Sequence, residues 1–343
     1  MNASERVASI LAMPPTDVMT WKAFWDDVRE HRVEGVEIAA VLAATANRMP
    51  TPETFVALVG SLVPPGLTEK QQTTALNIVG TGGGPSTFNI STAAALVVAA
   101  LKVPTVKTGS RSYSSSRGAL DLLGTLGVDL QHSAREILDD LGKGPLSFAS
   151  IGVYPSVFVR VARAILPLGL SHFGRLFNSL GPFVADVPVS SQLTGVSSRL
   201  PFDCAAAWAD LEESRSLWIC ESRFGADELI SFTTSRLRAP RSAPKVIEPG
   251  DVVPAGGSPE DLLPVAQPEA ALHHLCEVLT GQLNHTATHT VALNAGAGLM
   301  AAGECATLKE GVALAIDVIH SGSAVVLLES VSSAWPKLME VRK

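Results

Sequence analysis

Three short runs in this sequence carry the residue types that bind phosphate and metal. The first is Gly80-Thr81-Gly82-Gly83-Gly84-Pro85-Ser86-Thr87-Phe88-Asn89-Ile90-Ser91-Thr92. It lies between a short apolar run, Leu76 to Val79, and an Ala/Val/Leu run that opens at Ser91. Glycines let backbone amides approach an anion, and Ser91 and Thr92 add hydroxyls where a helix dipole is positive. The chemistry this suits is the cradling of a phosphate or pyrophosphate. No Gly-Lys-Ser/Thr follows and the Rossmann spacing is lacking, so nucleotide binding of those two kinds is disfavoured. On its glycines alone, the segment serves equally well as a tight strand-to-helix turn with a good cap.

The second run, Lys107-Thr108-Gly109-Ser110-Arg111-Ser112-Tyr113-Ser114-Ser115-Ser116-Arg117-Gly118, follows the next apolar strand, Val103 to Lys107. Its three cations among many hydroxyls suit a phosphorylated sugar, and α/β sheets place ligands at strand ends. Alone it reads as a solvated polar loop, but two anion-suited loops at adjacent strand ends would face one crevice. The third run is Asp227-Glu228, just after the apolar strand Leu217 to Cys220. Hard carboxylate oxygens beside a pyrophosphate site are how Mg²⁺ is usually held, with water and phosphate completing its shell.

The histidines are less informative. His273 and His274 fall in a predicted helix and point apart, while Thr286, Thr288 and Thr290 around His285 and His289 favour extended structure over a metal-ligand face. Cys204, Cys220, Cys276 and Cys305 are far apart and form no CxxC pair. They fit buried thiols in a reducing compartment, and the expected location is the cytoplasm.

The elements that must position these runs follow from periodicity. Up to about Thr73 the pattern is helical, with Trp21, Phe24, Trp25 and Val28, then Ile38, Val41 and Leu42, then Phe55, Leu58, Val59 and Leu62 on successive faces. Thr51-Pro52-Glu53 predicts a cap and first turn. From Leu76 the chain becomes a β-loop-α-β unit that repeats loosely, with helices over Leu120 to Leu126 and from Ser133 to Gly142, and a strand at Leu146 to Ala149. A second helical passage runs from Val157 to Leu166. The proline- and glycine-dense stretch from Ala239 to Pro268 predicts a surface excursion or long hairpin. Val291 to Asn294 and Ala324 to Leu328 read as late strands around a helix from Leu308 to Ile319.

The expected architecture is α/β: a small all-helical N-terminal domain, residues 1–73, joined by a helical segment near 157–185, and a larger α/β domain, residues 74–343, with a mostly parallel central sheet. The 343 residues are 46% hydrophobic and 17% charged, which suits a folded chain with a large core. With 33 acidic against 26 basic residues the formal charge is -7, which argues against gripping a nucleic-acid backbone. No apolar run approaches the ~20 residues of a membrane span.

Taken together, the three runs resemble the anthranilate phosphoribosyltransferase family. That family's pattern is Gly-Thr-Gly-Gly-Asp-Gly, then Thr-Phe-Asn-Ile-Ser-Thr, then Lys-His-Gly-Asn-Arg followed by Ser-Ser, and later an Asp-Glu pair. The resemblance extends to Phe177-Asn178-Ser179-Leu180-Gly181-Pro182, to Asn294-Ala295-Gly296-Ala297 and to Leu308-Lys309-Glu310-Gly311, so it covers nearly the whole chain in order. It implies a nucleoside phosphorylase/phosphoribosyltransferase-type fold, a homodimer formed through the helical domain, and an enzyme that moves phosphoribose from phosphoribosyl pyrophosphate onto anthranilate in tryptophan biosynthesis, releasing pyrophosphate. By the same resemblance Gly80, Gly83, Thr87, Asn89, Ile90, Ser91, Thr92, Lys107, Arg111 and Ser115 hold the donor, with Thr108 and Ser110 in the substrate site. Ser91, Asp227 and Glu228 hold Mg²⁺.

The departures fall mostly on the acceptor side. The glycine loop is one residue shorter, with Gly84 and Pro85 where the family has its Asp. The family's His and Asn are Thr108 and Ser110, its later Lys and Ser are Ser116 and Arg117, and a phosphate-contacting serine is Ala119. Its arginine pair falls on Ile165 and Leu166, with an insertion around Ser171 to Gly174. Each charge-assisted hydrogen bond lost to an anthranilate carboxylate is worth ~1.5 to 3 kcal/mol, enough to change the substrate. Arg163, Arg175, His172 and Arg117 are candidate replacements, and Tyr113 is a candidate lining residue. The alternatives are a paralogue with another aromatic acceptor in a specialised pathway, a non-catalytic nucleic-acid-binding member, and a pyrimidine nucleoside phosphorylase, which the Thr-Phe-Asn-Ile-Ser-Thr run and the Asp-Glu pair disfavour.

Overall fold

Four helices open the chain: α1 (Ala3–Ala12), α2 (Val18–Arg29), α3 (Gly35–Asn47) and α4 (Pro52–Leu62). The computed structural model describes residues 1–47, 51–63, 73–109, 119–166, 170–265 and 267–335. Local chemistry starts the helices, at Thr51 as the sequence predicts and at two caps it does not single out. Asn2 and Glu5 form a reciprocal capping box, Asp17 caps α2, and Thr51 with Pro52 opens α4. Trp21, Phe24, Trp25 and Val28 turn one face of α2 inward, and the Trp25 indole N–H donates to Ser61 Oγ of α4 at 2.9 Å.

An alternating passage follows: β1 (Leu76–Gly80), α5 (Ile90–Ala100), β2 (Thr105–Lys107), α6 (Ala119–Leu126), β3 (Leu130–Gln131), α7 (Ala134–Leu141), β4 (Leu146–Ala149), α8 (Ser156–Ala164), α9 (Leu170–Val184), β5 (Ser191–Gly195), α10 (Phe202–Leu211) and β6 (Ser216–Ser222). The chain closes with β7 (Ser235–Arg238), β8 (Lys245–Ile247), α11 (Pro268–Leu279), α12 (His285–Ala302), α13 (Leu308–Ser321) and α14 (Ser323–Val331). One eight-stranded sheet runs in the order β3-β4-β2-β1-β5-β6-β7-β8. Its first six strands pair in parallel, and β7 and β8 add an antiparallel edge. Of the surface excursion or long hairpin expected between Ala239 and Pro268, the hairpin is present at its start, where Lys245–Ile247 pairs antiparallel with β7.

Strand alternation divides the core into layers. Leu217 and Ile219 of β6 join α1 to α4, α8, α9 and α10 in one apolar cluster. Cys220, the next inward position on the other face, joins α5, α6 and α11 to α14. The chain thus leaves β1 and β5 toward opposite faces, and the crevice at their carboxyl ends is where such sheets bind ligands.

The two late strands expected from the sequence are helices. Val291 to Asn294 lies inside α12, and Ala324 to Leu328 inside α14. The threonines near His285 are helical as well: Asn284 caps α12, Thr288 donates to the Asn284 carbonyl, and Thr290 donates to Ser231 Oγ. Among the described residues no single helix is long and apolar enough to cross a membrane.

Candidate active site

The glycine run leaves β1 at Gly80 and meets two other strand ends. Thr81 N–H donates to the Gly195 carbonyl at the end of β5, and Gly82 N–H donates to Asp227 Oδ2 at 2.7 Å. Absence of side chains makes this approach possible. A Cβ on Gly80 would run into the Asp227 carboxylate, one on Gly84 into the Gly225 carbonyl, and one on Gly195 into the Asp227 backbone carbonyl. Three glycines therefore seat the acidic loop against the anion loop, and the two features separated by 145 residues are one site.

The loop's carbonyls are tied back by the segment after β5, which sequence reasoning missed. Thr81 Oγ1 accepts from Ser197 N–H at 3.1 Å, Ser197 Oγ donates to the Gly82 carbonyl at 2.7 Å, and Arg199 Nε donates to the Gly83 carbonyl at 2.6 Å. Asn178 Nδ2 lies 3.6 Å from where a Cβ of Gly82 would stand, so the Phe-Asn motif reaches the loop too. The N–H groups of Gly83, Gly84, Ser86, Thr87 and Asn89 donate to no described residue. Asn89 makes no side-chain cap at the start of α5; the Ile90 and Thr92 amides donate to the Phe88 and Asn89 carbonyls, and that of Ser91 donates to no described residue. Partly exposed Ser91 and buried Thr92, whose Oγ1 lacks a partner among the described residues, stand in that first turn, with Ile90 wholly buried. This is a donor-rich concavity suited to an anion.

Beside it lies a buried charge cluster. Asp227 and Glu228 follow β6, and Asn294 of α12 clamps the next residue, accepting from Leu229 N–H and donating to its carbonyl. Burial raises the Asp227 carboxyl above the ordinary carboxylate range, opposed by the hydrogen bond from Gly82 and the charge of Lys107. Glu228 is raised well above its ordinary value, first by burial and then by the Asp227 charge, with Lys107 opposing. Lys107 is 1% exposed, and burial pushes its ammonium down to about 8 against the pull of both carboxylates. Its Nζ donates to the Thr108 carbonyl, and its charge acts on both carboxylates.

Half-buried Asp227 and buried Glu228 stand side by side near the single cation Lys107, and Glu228 Oε2 has no hydrogen-bond partner among the described residues. An orphaned carboxylate oxygen beside a second hard-oxygen donor fits a divalent cation such as Mg²⁺, which binds through one or two carboxylates and takes the rest of its shell from water and phosphate. Among the described residues no group of three or more His, Cys, Asp or Glu forms a separate metal cage. His285 and His289 only stack on α12 with ring centroids 6.0 Å apart.

Thr108 belongs to the layer below. Asn77 of β1 and Gln192 of β5 are cross-strand partners, and the Asn77 amide donates to Gln192 Oε1 at 3.1 Å and to Thr108 Oγ1 at 3.0 Å. Gln192 donates onward to the Pro182 carbonyl and Thr194 Oγ1. With Thr108 1% exposed, its hydroxyl braces strands rather than facing a ligand. Ser110, Arg111 and Ser115 lie outside the described residues, as do Tyr113, Ser116 and Arg117; the side chains of Ala119, His172 and Arg175 are likewise outside them. Ile165 is buried, Leu166 is exposed, and Arg163 is exposed in the last turn of α8.

Comparison with known proteins agrees with this geometry. The family described as "Glycosyl transferase family, a/b domain" matches residues 72–325. The anthranilate phosphoribosyltransferase of Bacillus licheniformis is 33% identical over 307 residues, covering 88% of this chain and 90% of the relative. That of a Methylobacterium strain is 37% identical over 260 residues, 74% of this chain and 75% of the relative. The crystal structure of the Thermus thermophilus anthranilate phosphoribosyltransferase superposes with a TM-score of 0.79 at 28% identity, covering 95% of this chain and 98% of the other. The Saccharomyces cerevisiae enzyme, solved in complex with PRPP and Mg, shares the fold with a TM-score of 0.76 at 21% identity, with 97% of each chain covered. Joined sheet ends, a glycine loop seated on an acidic pair, and these matches over most of the chain make this protein a member of the anthranilate phosphoribosyltransferase family.

Proposed function

We propose that the chain is a Mg²⁺-dependent phosphoribosyltransferase that moves 5-phosphoribosyl from phosphoribosyl pyrophosphate to an aromatic amine such as anthranilate. The observation that carries this reading is the 2.7 Å hydrogen bond from Gly82 N–H to the half-buried Asp227 carboxylate, because it unites an anion cradle with a cation-seeking acidic pair. In the reaction the amine nitrogen bonds to C1 of the ribose, the C1–oxygen bond to pyrophosphate breaks, and the amine loses a proton. Charge builds on the departing pyrophosphate, so donors and positive charge aimed at it lower the barrier. The amides of Gly83 and Gly84 and the open start of α5, with Thr87, Asn89, Ser91 and Thr92, would supply donors. Asp227 and Glu228, with Ser91 as a third oxygen, would hold Mg²⁺, whose contribution is to neutralise the leaving group. Lys107 retains its proposed donor-binding role, and its charge also favours the ionised form of the two carboxylates. Gly80 acts through shape, and Ser110, Arg111 and Ser115 retain their proposed donor-binding role. The division at about residue 73 and the homodimer are part of the same proposal.

The withdrawal of Thr108 into the strand layer favours a second reading of the acceptor. A hydroxyl held by Asn77 offers nothing in place of the family's histidine, which supports an aromatic acceptor other than anthranilate. The deciding experiment follows pyrophosphate release from phosphoribosyl pyrophosphate with Mg²⁺, using anthranilate beside a panel of aromatic amines and hydroxy acids. Release with anthranilate supports the first reading, and release only with another acceptor supports the second. In either case Glu228→Gln should sharply reduce turnover. Salt-dependent nucleic-acid binding without donor binding would replace both readings.

A further inference from the structure

Arg199 is the one basic side chain that the structure fastens directly onto the glycine loop among the described residues. It lies four residues beyond the end of β5, in the segment whose Ser197 also grips the loop. Its stem passes so close to Gly83 that a Cβ there would stand 2.8 Å from Arg199 Cδ. Nε is occupied by the Gly83 carbonyl at 2.6 Å, which fixes the plane of the guanidinium. The two outer nitrogens make no hydrogen bond or ion pair with a described residue. Other arginines direct their charge elsewhere: Arg6 and Arg32 to Asp27, Arg236 to Glu221 and Arg238 to Asp210. No acidic residue occurs from Gly80 to Ile90 to neutralise Arg199 from the loop.

The free end of this guanidinium therefore stands beside the unpaired amides of Gly83 and Gly84, one residue from the Gly82 amide that holds Asp227. A planar fork whose two outer nitrogens contact no described residue matches an oxyanion bidentately, the neighbouring glycine amides suit a phosphate, and anchoring of its stem lowers the entropy lost on binding. We infer that Arg199 is a substrate-contacting residue that binds the pyrophosphate group of the donor and stabilises it as it leaves. This rests on the phosphoribosyltransferase reading and adds to it a residue outside all three motifs of the sequence.

The test is calorimetric titration of wild type, Arg199→Gln and Arg199→Lys with Mg²⁺ and, in turn, pyrophosphate, phosphoribosyl pyrophosphate and ribose 5-phosphate. Arg199 is exposed, so the variants should melt with the wild type. Loss of a charge-assisted contact should weaken pyrophosphate and phosphoribosyl pyrophosphate about tenfold to hundredfold in Arg199→Gln, with an intermediate loss in Arg199→Lys. Ribose 5-phosphate, which lacks the pyrophosphate, should bind all three proteins alike. Wild-type pyrophosphate affinity in Arg199→Gln would overturn the assignment, as would an effect confined to the KM of the acceptor. If the wild type bound neither pyrophosphate nor the donor, the phosphoribosyltransferase reading itself would fall, and the two failures are thereby distinct.

Discussion

Gly195→Ala probes the contact that seats the acidic loop. Gly195 ends β5 between Gly80 of β1 and Cys220 of β6, so the strand cannot shift without breaking the sheet. A Cβ there would overlap the Asp227 carbonyl group and lie 3.3 Å from its Cα. Non-bonded atoms settle at roughly 3.5 Å, so Asp227 must recede by about 1 Å or more. Such overpacking costs about 1–3 kcal/mol, and displacing a group that positions a reacting centre by about 1 Å costs on the order of 100-fold in rate. The same substitution at Gly124, in α6, meets nothing within 4 Å. There alanine should stabilise by about 0.5–1 kcal/mol, because it removes the entropy that glycine loses in a helix. Urea unfolding read beside pyrophosphate release separates the cases: Gly195→Ala loses both stability and turnover, while Gly124→Ala gains stability with turnover intact. A Gly195→Ala protein with the wild-type midpoint and rate would refute the packing argument. Lost stability with full turnover would show that this contact does not set the position of Asp227.

Three further outcomes are expected. Asp27 is buried yet held below the ordinary carboxylate range, because hydrogen bonds and charge from Arg6 and Arg32 outweigh burial; its stabilisation is present above its unfolded value and lost as pH falls through the lower folded one. Asp27→Asn should therefore cost about 2 kcal/mol at pH 7 and flatten the stability profile below about pH 4, as acid titration of the unfolding midpoint would reveal. Ser61→Ala strands the buried Trp25 indole N–H and should cost about 1–3 kcal/mol by urea unfolding, whereas Ser61→Thr keeps the acceptor and much of the stability. Asn77→Ala removes the link between Thr108 and Gln192 and should cost about 3 kcal/mol; a smaller loss than about 1 kcal/mol would mean that the amide chain is not a unit.

Much of the fold was legible because local signals and tertiary demands agree. The strand at Leu146–Ala149, the helix between Ser133 and Gly142, and the cap at Thr51 match the structure. The misread segments lack a period to read. All but a few positions of α12 are buried, so no polar face betrays the helical repeat, and short Val/Ala/Leu runs look like strands. In the site, the glycine loop and the acidic pair were visible as motifs, but glycine composition does not disclose what the missing Cβ makes room for. That Gly80, Gly84 and Gly195 face residues 225–227 is a property of the sheet order. Arg199 and Ser197 sit in no recognisable pattern, and only the parallel pairing of β1 with β5 brings them to the loop. Thr108 was placed correctly at a strand end, yet its hydroxyl turns toward Asn77, a partner 31 residues earlier.

The apolar cluster around α1 to α4 is completed by Phe183, Phe202, Leu217 and Ile219, which has a consequence for biosynthesis. Residues that close the core of the first helices are translated more than a hundred positions later. At about 5–20 residues per second, the ribosome needs roughly 8–30 s to carry synthesis from Leu62 to Ile219. For much of that interval Trp21, Phe24, Trp25 and Phe55 lack the later surfaces that complete their cluster. Slow translation downstream of α4 would therefore lengthen the exposure of this half-built core rather than help the first helices to fold.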